Sequence, residues 1–377
     1  MEKGVCSVFN LDTTGEPGKE LQPNTGSVKG GSVFSSIASR YGVFLIIAVL
    51  LVVGGFASPK FFSASNFLNI LTAVSILGIA AAGMAFVIYC GKYGDLSVPM
   101  TMAISGVIAV ELMRYGMVPA IAGALCTGLI IGVLNGLVIG KLRVNAIIWT
   151  LGMNFIIEGL IRWSYGGGQI YPDMATADTY KTGFLLPLMF RLDKNVLDID
   201  LVPRADAFNS LAQTYFWGGV PLMLVVMICV MAGCFFILTK TSFGNKLKIV
   251  GSNYDVGNMS GIRATSVVMR AFIISSICAA LAGIFITSMN KVGAFYVGQG
   301  YDFQSVTAII LGGMSLAGGR GNHLGVFGGV FTIGLISNIL TLFGVGTFTQ
   351  KIIMGGIFIV VVAFNASSLR KLGRDDS

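Results

Sequence analysis

The sequence predicts an all-α polytopic membrane protein of about ten transmembrane helices, with two inverted repeats. Composition, the spacing of apolar runs and an internal repeat predict it. Of 377 residues, 54% are hydrophobic and only 11% are charged, and mean hydropathy is +0.82. Water-soluble domains carry about 25% charged residues. This balance excludes a soluble enzyme, a nucleic-acid reader, a disulfide scaffold and a disordered chain. The 51 glycines suit a bundle whose helices approach closely without a hydrophobic force between them. A net charge of +8 then bears on orientation in the membrane rather than on nucleic acid.

Each element follows in order. Residues 1–40 are polar and rich in Gly, Ser, Pro and Thr, which predicts a flexible cytoplasmic tail and no signal peptide. Residues 41–366 form the transmembrane domain. A span needs about 20 mostly apolar residues, and the runs that qualify or nearly do are Tyr41–Ala57, Phe67–Cys90, Ser97–Met113, Met117–Gly140, Asn145–Trp163, Gly218–Thr239, Val267–Met289, Phe303–Leu316, Leu324–Phe343 and Thr347–Phe364. The eighth is short and interrupted by glycine. With both termini inside, most of the 25 Lys and Arg fall on the cytoplasmic side. Lys60, Arg114, Arg162, Lys181, Arg191, Lys194, Arg204, Lys291 and Lys351 remain outside, so the N-in, C-in orientation is preferred. Residues 164–217 then form an external loop, 240–266 a cytoplasmic loop and 367–377 a cytoplasmic tail.

The internal repeat joins Gly91 to Val98 (GKYGDLSV) with Gly298 to Val306 (GQGYDFQSV). Asn135 followed by Gly152-Met153 matches Asn338 followed by Met354-Gly355 at nearly the same distance. Segments 2–5 therefore correspond to segments 7–10, and a shift of five spans reverses direction. Inverted repeats place a solute route between the halves near the midplane, which favours a transporter. Asp95, Ser97, Asp302 and Ser305 mark the symmetric hinges, where Asp95 and Asp302 also read as helix-start signals.

No site for chemistry assembles from the sequence. There is one histidine, His323, no metal-ligand spacing, and no GxxxxGK[ST] to hold nucleotide phosphates. Five of the six cysteines lie in apolar segments as packing residues. Charges within spans are few. Glu158 and Arg162 are four apart and can neutralise each other, and Glu111 with Arg114 lies at the outer end of segment 3. Asn135, Asn154, Glu158 and Asn338 are candidates to line a pathway. In the cytoplasmic loop, Asn253 can cap a short helix reaching about Ser260, stopped by Gly261. Such a helix on the cytoplasmic face suits the docking of a soluble partner.

These residues resemble the ribose-type permease subunits of bacterial ABC importers, in the branch shared with branched-chain amino acid permeases. Gly94-Asp95-Leu96-Ser97-Val98 is similar to the family's G-x-D-L-S-V-G, with Pro99 in place of the last glycine. Thr150-Leu151-Gly152-Met153 resembles A-T-L-G-M, with Asn145-Ala146 where a Pro-Pro usually precedes it. Gly251, Asn253 and Ser260-Gly261-Ile262 fit the coupling-loop pattern, with Asp255 and Val256 in place of alanines. Ala308 to Gly321 (AIILGGMSLAGGRG), with Gly312, Gly313, Gly318, Gly319 and Arg320, resembles A-V-V-L-G-G-x-S-L-x-G-G-R-G almost residue for residue.

The resemblance implies a permease in the bacterial cytoplasmic membrane. It implies a coupling helix at Asn253, Asp255, Met259, Ser260 and Gly261 that docks on a cytoplasmic ATPase, and a second permease chain, the same or related. An extracytoplasmic binding protein would deliver a sugar or similar polar solute. No cofactor is expected on this chain, since ATP and Mg would sit on the ATPase, and membrane lipid is the surrounding solvent. A nucleoside, a furanose signal or a branched-chain amino acid remains an alternative cargo, and an ion-coupled secondary carrier an alternative mechanism.

Overall fold

The computed structural model describes residues 33–172, 201–216, 219–321 and 323–375. Most of the N-terminal tail, the middle of the external loop and the last two residues of the C-terminal tail lie outside them. Residues 43–377 form one compact unit, and Met1–Gly42 another.

The helices are α1 (Val33–Ala57), α2 (Ala64–Tyr89), α3 (Val98–Leu112), α4 (Met117–Leu142), α5 (Ala146–Tyr165), α6 (Leu201–Leu211), α7 (Leu222–Lys240), α8 (Ser242–Ser252), α9 (Tyr254–Met259), α10 (Ala264–Asn290), α11 (Tyr301–Leu311), α12 (His323–Leu342) and α13 (Thr347–Asp375). A two-stranded hairpin pairs Tyr215–Phe216 with Val220–Pro221. Among the described residues, seven helices, α2, α4, α5, α7, α10, α12 and α13, are long and apolar enough to cross a membrane. Val43–Phe56 and α3 are shorter apolar helices, and α11 has 11 residues. Among the described residues, length and composition thus qualify seven helices as spans, and the count of ten stays an expectation.

Local chemistry sets the ends of these helices. Ser63 caps α2 by accepting from the Asn66 N–H, and Asn145 caps α5 by accepting from the Ile147 N–H at 2.9 Å. Asn145 therefore starts a helix where the family pattern uses proline. Gly166, with φ +59, ends α5 in the left-handed conformation that glycine adopts freely.

Helix α10 is the central element, packed against α2, α3 and α4. A glycine stripe explains its closeness to α4. Gly128, Gly132, Gly136 and Gly140 recur every fourth residue on one face. A Cβ at these positions would lie 2.7 Å from the Ser276 oxygen, 2.7 Å from Ile273 Cα, 2.5 Å from Met269 Cα and 3.0 Å from the Thr265 oxygen. The two backbones touch because no side chain intervenes, the small-residue packing that holds helices together in lipid. By contrast, no residue of the apolar window of α13 is buried, and Phe348, Ile352 and Phe364 on it point outward.

The short helices α3 and α11 each follow a non-helical stretch, residues 90–97 and 291–300. The second stretch runs back along α3. A Cβ on Gly293 would lie 3.4 Å from Val107 Cα, and one on Gly298 would meet the Pro99 backbone, about 12 Å further along at 1.5 Å per helical residue. The first stretch does the same along α2 and α11. The Asp95 N–H points at Met84 Sδ, 3.1 Å away, and a Cβ on Gly94 would sit 3.3 Å from Val306. Both short helices therefore begin inside the bundle, beside each other.

Candidate solute pathway and docking loop

A cavity of about 340 Å³ opens where the two short helices begin. Pro99 and Met100 of α3, Asn154 and Glu158 of α5, Gln299, Gly300, Asp302 and Gln304 around the start of α11, and Lys351 of α13 supply its main polar and backbone lining. Every half of the chain contributes. Glu158 is held by Arg162 through two hydrogen bonds of 2.9 and 2.7 Å to one carboxylate oxygen, the i,i+4 pair that the spacing suggested. Arg162 in turn stacks 3.8 Å over the Phe295 ring. Asn154 Oδ1 is buried with no hydrogen-bond partner among the described residues. Such an orphan acceptor costs about 1–3 kcal/mol, which a donor on a bound solute would recover.

Asp95 lies elsewhere. It is fully buried and accepts from Ser97 N at 3.0 Å and Ser97 Oγ at 2.5 Å, with Ser275 Oγ at 3.5 Å on its other oxygen. Asn135 donates to Ser97 Oγ at 2.9 Å and accepts from Trp149 Nε1 at 3.0 Å. Thr150 Oγ1 accepts from the Leu96 N–H. This chain of bonds ties the 90–97 stretch to α4, α5 and α10, and it satisfies a carboxylate that would otherwise be costly to bury. Asn135 is thus bonded into the scaffold and is not among the residues lining this cavity. Asn338 lies apart too, in a reciprocal pair with Asn66 at 3.1 and 2.8 Å. Ser305 is fully buried on α11, and its Oγ has no hydrogen-bond partner among the described residues.

The Gly312–Arg320 stretch is a turn-rich loop after α11. A Cβ on Gly312 would lie 2.6 Å from the Gly325 backbone. Gly313, Gly318 and Gly319 have φ of +86, +83 and +67, the region that side chains resist. Arg320 is exposed, and its backbone oxygen accepts from Ser315 N. On the neighbouring surface, Asn253 caps α9 by accepting from Asp255 N at 3.0 Å and Val256 N at 3.1 Å. Ser260 closes the helix, and Gly261 follows with φ +76. Met259 is 87% exposed at the end of the helix, an apolar knob of a kind that docking surfaces use.

Sequence reasoning passed over Lys351, Gln304, Thr307 and Trp149. Lys351 carried a signal, being a charge inside an apolar segment. Trp149 carried none, because its bond to Asn135 spans two helices.

Residues 66–362 match the family described as branched-chain amino acid transport system permease components. The chain belongs to this permease family. It is 29% identical over 335 residues to a ribose import permease of Haemophilus influenzae, covering 87% of this chain and 94% of that one. It is 27% identical to an L-arabinose transporter permease of Azospirillum brasilense, covering 89% of each. A D-allose permease of Escherichia coli is 27% identical, with 88% and 93% covered. No solved structure matches. The permease is a transport component rather than an enzyme, and it is a multi-pass membrane protein.

Proposed function

We propose that this permease is the membrane subunit of an ATP-driven sugar importer, with both termini cytoplasmic. The observation that carries the proposal is the mixed cavity at the meeting of the two short helices. Its carboxylates, amides and single lysine suit a neutral solute with several hydroxyls, each able to donate and accept. The relatives named for ribose, arabinose and allose support the same cargo class. ATP and Mg would reside on a cytoplasmic ATPase that seats on α9, and an extracytoplasmic binding protein would deliver the solute. A second permease chain would lie against the apolar outer faces, with lipid over the rest. Alternating exposure of the cavity to the two sides would move the solute.

The test is uptake of labelled pentoses and hexoses in cells that do or do not make this chain, with co-purification of its partners. ATP-driven import predicts uptake that orthovanadate blocks and ionophores spare. Uptake that collapses with ionophores alone would establish the ion-coupled alternative.

A further inference from the structure

Only Asn253 separates α8 from α9, and the four residues of this elbow, Gly251 to Tyr254, touch four other parts of the bundle. A Cβ on Gly251 would collide with the Tyr89 carbonyl oxygen at the end of α2, and would lie 3.0 Å from Gly319 N. Gly91 and Gly318 close the same contact. A Cβ on Gly91 would be 2.8 Å from the Gly251 oxygen, and one on Gly318 would be 2.5 Å from Gly91 Cα. The Gly319 N–H donates to the Tyr89 oxygen at 2.9 Å. Three backbones therefore meet with no side chain between them.

Three residues on, Tyr254 makes a second anchor. Its hydroxyl donates to the Gly140 oxygen at the end of α4, at 2.9 Å, and Thr265 Oγ1 of α10 donates to the same oxygen at 3.1 Å. Lys92 Nζ lies 5.2 Å from the ring centroid and Arg143 Cζ 4.6 Å, both within cation–π range. The Asp255–Arg143 ion pair, at 3.2 Å, is exposed on both sides and adds little.

The two anchors hold the residues that flank the cavity helices. Gly91 and Lys92 open the stretch that leads to α3, and Gly318 and Gly319 lie in the loop that leaves α11. The geometry points to the Gly251–Tyr254 elbow as the element that passes motion of α9 to both cavity-forming helices, with Tyr254 and Gly251 as positioning residues for transport. This inference rests on the docking of an ATPase at α9. Backbone-on-backbone contact transmits displacement because it has no flexible side chain to absorb it. The elbow moves as one piece with the end of α2 and the 318–319 loop.

The experiment uses the whole complex in liposomes and measures three quantities: ATPase retained on the permease, ATP hydrolysed, and labelled pentose moved per ATP. Tyr254→Ala and Gly251→Ala should each lower solute moved per ATP by about tenfold, the size of a coupling loss, while the ATPase stays bound. Tyr254→Phe keeps the ring between Lys92 and Arg143 and should retain most of the transport. Gly329→Ala, which would meet the Ala308 oxygen within the α11–α12 contact, serves as an equally tight control. It should lower folded protein, and leave solute per ATP unchanged in what folds. Wild-type transport per ATP in both Tyr254→Ala and Gly251→Ala would overturn the inference. So would the same loss of transport per ATP in Gly329→Ala. If Met259→Arg leaves ATPase binding intact, the docking reading itself fails, separately from the elbow.

Discussion

The stretches before α3 and before α11 carry matching residues, yet the structure uses them differently. Asp95 is fully buried and bonded to Ser97 and Ser275, whereas Asp302 lines the cavity. Asn135 joins the Asp95 network through Ser97, while Asn338 turns to Asn66. The Ser97 hydroxyl is bonded twice, and Ser305 Oγ has no partner among the described residues. Repetition in sequence thus copies a backbone path rather than a chemistry. The stretch before α3 anchors the scaffold, and the start of α11 presents polar groups to the cavity.

This contrast predicts a gradient of effects. Asp95→Ala should cost most, about 3 kcal/mol, because it strands buried donors on Ser97 and Ser275. A lowered Tm of the detergent-purified protein would show it. Asn135→Ala should follow at about 2 kcal/mol, since it leaves Ser97 and Trp149 each short of a partner, read by the same melting curve. Asn338→Ala should cost about 1 kcal/mol, since it breaks a part-buried amide pair; a Tm shift as large as that of Asn135→Ala would erase the contrast. Asp302→Asn should move Tm least, by less than about 0.5 kcal/mol equivalent, and yet reduce uptake of labelled pentose about tenfold, the worth of one polar contact to a solute. If Asp302→Asn lowers Tm as Asp95→Ala does and spares uptake, the assignment of the two stretches is reversed.

Hydropathy made the long helices legible, because each must satisfy its backbone within apolar surroundings. It could not separate α3 and α11 from full spans, since a helix that starts inside the bundle is as apolar as one that crosses it. The α9 cap was also legible, because Asn253 bonds to N–H groups only two and three residues away. The Asp95 network was not. Its bonds join residues 38 and 180 apart in the chain, and no period records such pairing. Among the pathway candidates, Asn154 and Glu158 line the cavity and Asn135 does not. All four are polar residues in apolar helices, and only tertiary packing decides which face water.

The central claim is that solute passes through the cavity where α3 and α11 begin. The direct measurement is thiol modification of Met354→Cys, in a chain whose exposed Cys126 and Cys229 are replaced by Ser, with a small charged methanethiosulfonate. The account predicts that modification stops ATP-driven pentose uptake and that excess pentose slows the modification. Gly159→Cys on the open face of α5, where a Cβ meets nothing within 4 Å, should be modified without effect. Full uptake by the modified Met354→Cys protein would contradict the account.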